Sequence, residues 1–144
     1  MDIVTHALAG AATGAAFGRP LLGAAVAVVP DSALWLRPRL PRPPALYRAA
    51  HAALAPIVIS ILCLFAFGQE IAIVVFWSWV SHIVLDIPTH GPEWSPRLLW
   101  PNERILFTRF EEWEWFNESW WQGLALAFIW SAIWFLVPTI VFVL

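Results

Sequence analysis

The 144-residue chain contains no lysine; its eight basic residues are all arginine. It has a single cysteine, Cys63, so no intramolecular disulfide can form and a thiolate cluster for zinc is excluded. Cys63 lies inside an apolar run and reads as a structural thiol. Charged residues make up only 12% of the chain, against about 25% in an ordinary soluble domain. There is no basic block of the kind that binds nucleic acid, and a net charge of −2 points to no charged partner. The opening Met1-Asp2-Ile3-Val4-Thr5-His6 lacks the positive region of a cleavable signal, so the first apolar stretch is expected to stay in the mature protein. Arginine in place of lysine, with abundant alanine and proline, suggests a GC-rich prokaryotic genome.

Apolar residues, by contrast, are abundant. The chain is 60% hydrophobic, with eleven tryptophans and a mean hydropathy of +0.71. This reads as one all-α, membrane-embedded domain over residues 1–144, a bundle of about four to five apolar helices. Four apolar stretches carry it, at 3–30, 52–67, 71–87 and 121–144. A spanning helix needs about 20 apolar residues. The second and third stretches are at the short end, and only Gly68-Gln69-Glu70 separates them, which predicts a tight helical hairpin. The first stretch is interrupted by Gly18-Arg19-Pro20, a credible turn because proline breaks a helix interior. It either spans once or folds back as a helical pair. Gly10, Gly14 and their alanine neighbours would let two such helices approach closely.

Two polar loops remain, 31–50 and 91–119. The first is rich in Arg and Pro and reads as an irregular connection. A hairpin between them puts both on one side, and their arginines make that side cytoplasmic by the positive-inside rule. The location expected is the prokaryotic inner membrane, crossed several times. The Trp- and Glu-rich run from Phe110 to Trp121 reads as an interfacial helix, with a lid over a site as the sharper alternative.

Six side chains sit near the ends of the apolar stretches: His6, Asp31, His51, His82, Asp86 and His90. His82 and Asp86 are four residues apart, on one helix face, and can grip the same ion. Pro88 is expected to end or bend that helix before His90. Histidine with aspartate suits zinc, and also manganese or iron. Asp86, flanked by two histidines, is the natural bridge between two ions. Each residue has a plainer reading: His51 beside Arg48 could mark a membrane boundary, and Asp31 after Pro30 could cap a helix. All six converge on one face only if the first stretch folds back. Ionisable groups at membrane depth are costly and mark functional sites by default.

The elements Met1-Asp2-x-x-Thr5-His6-x-x-x-Gly10, Pro30-Asp31, Arg48-x-x-His51, His82-x-x-Leu85-Asp86-x-x-Thr89-x-Gly91 and Leu99-Trp100-Pro101 occur in this order. This resembles the YdjM-type family of membrane-bound metal-dependent hydrolases, whose motifs are similar to those of zinc-dependent phospholipase C and related zinc nucleases. The resemblance covers residues 1–101. It implies that Asp31, His51, His82 and Asp86 hold one metal, that His6 and the bridging Asp86 hold a second, and that His90 adds to that cluster. Tyr47 stands where the family often has histidine, and Ala52 where serine often follows the second-helix histidine. No His-x-x-x-Glu pair follows His90, so one or two ions are expected rather than three.

The function this implies is metal-assisted hydrolysis of a phosphoester, with a phospholipid among the candidate substrates. Asp31 would serve as ligand and general base, and Arg48 would hold the phosphate. A non-catalytic metal-binding structural or accessory membrane protein is the alternative. A transporter is a third reading, for which the spans are few and short.

Overall fold

The structure is a computed structural model and describes residues 3–35, 42–104 and 120–141. The described residues are all-helical, without a strand. Seven α-helices follow one another: α1 (Ile3–Ala15), α2 (Pro20–Val28), α3 (Ser32–Trp35), α4 (Ala45–Ala50), α5 (Leu54–Phe67), α6 (Gln69–Asp86) and α7 (Trp120–Val141). A single 3-10 turn, Val29–Asp31, joins α2 to α3. The all-α expectation holds among the described residues, five of whose helices are nine residues or longer. Of the described helices, α6 alone, 18 residues, is long and apolar enough to cross a membrane by length and composition, and 56% of it is buried within the protein. The Trp- and Glu-rich run lies outside the described residues except for its last two positions.

The first apolar stretch folds back. Gly18, at φ +71°, takes the left-handed turn, and Pro20 starts α2 where no helical N–H is missed. α1 and α2 then pack backbone to backbone. A Cβ on Gly10 would strike Gly23 O and Ala27, and one on Gly23 would strike Gly10 O. Gly10, Gly14 and Gly23 are therefore small because no larger residue fits.

The second hairpin is tighter than the spacing predicts. Gly68 alone separates α5 from α6, its φ of +89° reversing the chain in one residue. Gln69 and Glu70, expected in the connection, are already helical. Arg19 and Glu70 are paired at 3.0 Å, so both hairpin turns lie at one end of the bundle. The described parts of the 31–50 connection, expected to be irregular, are largely helical. Pro44, extended at ψ 161°, starts α4 over Ala45–Ala50, a run of good helix formers. Ala53 N–H donates to Leu98 O, bringing the 91–104 segment onto the α4–α5 junction. The core between the hairpins is Val26, Val75, Trp79 and Ile83, with Cys63 packed at its margin. α7 lies on α1, where Trp130 Nε1 donates to Thr13 Oγ1 at 2.9 Å.

Candidate metal centre

The fold brings together one end of each hairpin. α6 presents Ser78, His82 and Asp86 at fourfold spacing, all buried. α1 returns beside it and delivers His6, whose ring stacks on His82 with centroids 3.7 Å apart. The 3-10 turn after α2 places Asp31. The end of α4 places His51, under the stacked ring of Tyr47 at 3.8 Å. Past Pro88 the chain turns, and His90 comes back over the end of α6. All six residues singled out in the sequence therefore meet.

Four of them, Asp31, His51, His82 and Asp86, offer ligand atoms that all lie within 4.8 Å of one another. His51 Nε2 and His82 Nε2 are 2.9 Å apart. Each is 3.1 Å from Asp86 Oδ2. Asp31 Oδ1 is 3.5 Å from His51 Nε2 and 3.7 Å from His82 Nε2. A tetrahedron with bonds of about 2.0–2.1 Å has edges of about 3.3–3.4 Å. The five distances scatter around that edge.

The outer nitrogens fix the tautomers. His51 Nδ1 donates to Tyr47 O at 2.8 Å, and His82 Nδ1 donates to Ala27 O at 2.6 Å. A neutral imidazole that donates from Nδ1 carries a lone pair on Nε2. Two lone pairs and two carboxylate oxygens then face one small volume. Such a set is repulsive unless a proton or a cation sits within it. This pattern of histidines held by backbone carbonyls is that of metal ligands with their outer partners in place.

Without an ion, protons carry the balancing charge. Burial alone would lower the pKa of His51, but hydrogen bonds to Asp31 and Asp86 outweigh it and raise the value from 6.5 to about 9. Burial would raise Asp31, but the His51 hydrogen bond and the His82 charge bring it down to about 2. Burial pushes His90 down to about 3, against the pull of Asp86. Two carboxylates side by side, Asp86 fully buried and Asp31 mostly so, need two positive charges, and a divalent cation supplies them at one point. The cluster could thus bind a divalent metal; its donors do not decide between zinc, manganese and iron.

Asp86 also reaches the other way. Its Oδ1 lies 2.9 Å from His6 Nε2 and 3.3 Å from His90 Nδ1. Neither ring nitrogen of the fully buried His6 has a well-angled hydrogen-bond partner among the described residues. Asp86 therefore has one oxygen toward each group of histidines, the arrangement expected of a bridging carboxylate. Asp31, 15% exposed, is the one member of the four that solvent reaches.

Arg48 lies one turn before His51, with its guanidinium held by Glu103 at 2.9 Å. From sequence, Tyr47 is noted only as a departure from the family pattern, and neither Arg97 nor Glu103 is connected with the site's surroundings. Tyr47 supplies the carbonyl for His51, and its hydroxyl approaches His90 Nε2 at 3.5 Å. Its position four residues before His51 was the available signal. Arg97 and Glu103 join Arg48 through long-range pairing, which leaves no local trace in sequence.

Comparison with family models, curated proteins and solved structures finds no match to this chain. The likeness to membrane-bound hydrolases rests on the motif residues alone.

Proposed function

We propose that this chain is a membrane-embedded, metal-dependent hydrolase of phosphoesters, of the YdjM type that its motifs resemble. The observation that carries the reading is the convergence of His51, His82, Asp31 and Asp86 with their lone pairs inward, open to solvent on the Asp31 side. A divalent ion held there would lower the pKa of a bound water to about 7 and so supply hydroxide at neutral pH. Hydrolysis forms a bond from water oxygen to phosphorus and breaks the phosphorus–alkoxide bond. Asp31, at the open side, is placed to take the proton that water loses and return it to the departing alkoxide. Asp86 fixes His82 and His51 on one side and His6 and His90 on the other, so a second ion would share its carboxylate.

The membrane placement is supported by the outward faces. Phe65 is 86% exposed, Phe128 76% and Phe135 82%. A water-soluble monomer seldom leaves such a surface uncovered. α1, 13 residues, would be about 20 Å long, short of a hydrocarbon core of about 30 Å. With α2 it would enter the bilayer and return. The end with the metal cluster carries Arg42, Arg48, Arg97 and Arg104, and the opposite end carries Arg19. By the positive-inside rule this distribution supports a cytoplasmic site, in line with the prokaryotic inner membrane expected from composition.

A second reading is favoured by one observation. Four ligands at near-tetrahedral separations match a closed structural zinc site, which would staple the two hairpins without turnover. One experiment separates the readings. Detergent-purified protein is supplied with zinc or manganese, analysed for metal, and assayed on bis(p-nitrophenyl) phosphate, beside Asp86→Ala. Bound metal with turnover, both lost in the variant, supports the hydrolase. Bound metal without turnover on this or other phosphoesters supports the staple. No bound metal in the wild type sinks both.

A further inference from the structure

The structure assigns His90 to orienting Asp86 rather than to holding an ion, with the Tyr47 hydroxyl as the group that caps its far ring nitrogen. This deepens the metal-centre reading that hydrolase and staple share, and rests on it. The family resemblance would make His90 a ligand, which needs a lone pair aimed at the ion. The nitrogen of His90 that faces Asp86 is Nδ1, 3.3 Å from Oδ1. The same Nδ1 lies 3.3 Å from Asp86 O and 3.4 Å from Thr89 Oγ1. A carboxylate and a carbonyl only accept. The buried Thr89 hydroxyl gives its own proton to Leu85 O at 2.8 Å, so toward His90 it accepts as well. Three acceptors surround one ring nitrogen, and that nitrogen therefore carries the proton. A protonated Nδ1 donates to Asp86 and has no lone pair for a metal.

With the proton on Nδ1, the lone pair of the neutral ring is on Nε2. Nε2 lies 3.5 Å from the Tyr47 hydroxyl, and in that pair the hydroxyl is the donor. Tyr47 is held for this role. It is buried, its ring is stacked on His51 at 3.8 Å, and it meets Trp94 edge-on at 5.4 Å. Its carbonyl accepts from His51 Nδ1. A circuit closes through these contacts. Tyr47 holds His51 by its backbone and His90 by its side chain, and both histidines meet Asp86, His51 at Oδ2 and His90 at Oδ1. Rotation of the carboxylate would break contacts on both sides. The circuit thus keeps Oδ2 turned to His51 and His82, where the ion would sit. Ligating carboxylates are commonly held by outer hydrogen bonds of this kind. A second ion on Oδ1 would find His6 as a ring donor and a proton in the place of a lone pair from His90. Tyr47 is this chain's departure from the family pattern, so the cap is a property of this sequence and not of the motif.

The test is magnetic resonance on the detergent-purified full chain, labelled with nitrogen-15 histidine and loaded with cadmium-113 in place of zinc. Scalar coupling between the metal and a ring nitrogen marks a ligand directly. His51 and His82 should show it through Nε2. His90 should show none, and its Nδ1 should keep a directly bonded proton. Tyr47→Phe, which keeps the stacked ring and the carbonyl, should shift the His90 Nε2 resonance and leave both cadmium couplings in place. Cadmium coupling at either nitrogen of His90, or an Nδ1 without its proton, overturns the inference. A His90 Nε2 resonance unmoved by Tyr47→Phe overturns the cap. Zinc competition supplies a second arm. His90→Asn keeps an N–H donor near the Nδ1 position and should bind zinc nearly as tightly as the wild type, whereas His90→Ala should lose about 10–100-fold. Equal losses in the two variants would mark a missing ligand and overturn the inference; where neither variant folds, the wild-type spectrum decides. Absence of cadmium coupling at His51 and His82 would defeat the metal reading, and the His90 Nδ1 proton with its answer to Tyr47→Phe would still decide the circuit. Cadmium held as expected by a protein without turnover would defeat the hydrolase reading alone.

Discussion

Metal binding should expel a proton from His51, and the affinity should follow pH accordingly. In the metal-free protein, the carboxylates of Asp31 and Asp86 raise the His51 pKa from 6.5 to about 9. At pH 7 the ring is therefore charged. A metal ion needs the neutral ring with its Nε2 lone pair, so the proton must leave as the metal enters. Asp31, held at about 2, is already ionised at neutral pH, and His90, held at about 3, is already neutral. Neither releases a proton over the range of the experiment. With one proton lost from His51, the apparent affinity should rise about tenfold per pH unit, so about 100-fold from pH 6.5 to 8.5, and level off above about 9. The assay is competition for zinc against a chelator of known affinity, corrected for the chelator's own protonation. Calorimetry in two buffers of different ionisation enthalpy then counts the protons released. The sign for the fold itself runs the other way. A raised histidine pKa gives the metal-free fold stability that is full below about 6.5 and lost as pH rises through about 9, on the order of 3 kcal/mol. Chelator-treated protein should thus melt earlier at pH 9.5 than at 6.5, and zinc-loaded protein should show no such loss. An affinity that is flat between pH 6.5 and 8.5, with no proton released, would refute the account of two facing lone pairs.

Other perturbations follow from the same geometry. Asp86→Asn removes half of the carboxylate charge and turns one of the two oxygens that face the histidine groups into an NH2; changes to outer partners cost about 10–100-fold in affinity, so this variant should lose about 1000-fold or more, read by the same zinc competition. Asp31→Asn should keep metal with weaker affinity, because His51, His82 and Asp86 remain, yet lower phosphodiester turnover by about 100-fold or more; equal turnover would remove Asp31 from the chemistry. Gly23→Ala should lower stability by about 1–3 kcal/mol, because the added Cβ meets the backbone of α1. The same variant should weaken zinc binding, since α2 carries the Ala27 carbonyl that holds His82; thermal melting and zinc competition on one preparation check both effects.

The parts of this site legible in sequence are those encoded by local spacing. His82 and Asp86 share a face because four residues make about one helical turn. Gly18-Arg19-Pro20 reads as a turn, and the fold-back it allows brings His6 toward Asp31, the condition on which convergence depended. What sequence conceals is of another kind. The carbonyls of Ala27 and Tyr47 fix the two tautomers, and a backbone carbonyl has no signature in the residue that carries it. The joining of Arg48 and Arg97 through Glu103 spans some fifty residues and depends on the 91–104 segment folding over α4. α4 was hidden by the prolines before it, which break a helix when internal but launch one when they precede its first turn. The Gly68 hinge was masked by Gln69 and Glu70, polar residues that read as loop yet sit in the first turn of α6, where acidic side chains are favoured.

The question that separates enzyme from staple then turns on Asp31. A structural site gains from closure, since each ligand shielded from water holds the ion more firmly. His51, His82 and Asp86 obey that logic and are fully buried. Asp31 departs from it: it comes from a short 3-10 turn, remains in part exposed, and stands farther from both histidine nitrogens than Asp86 does. A fourth ligand that is longer and wetter than the other three is the one a substrate oxygen can approach or displace. A staple has no need of such a ligand, and under the proposed reading the exposed Asp31 side is where a phosphoester would enter.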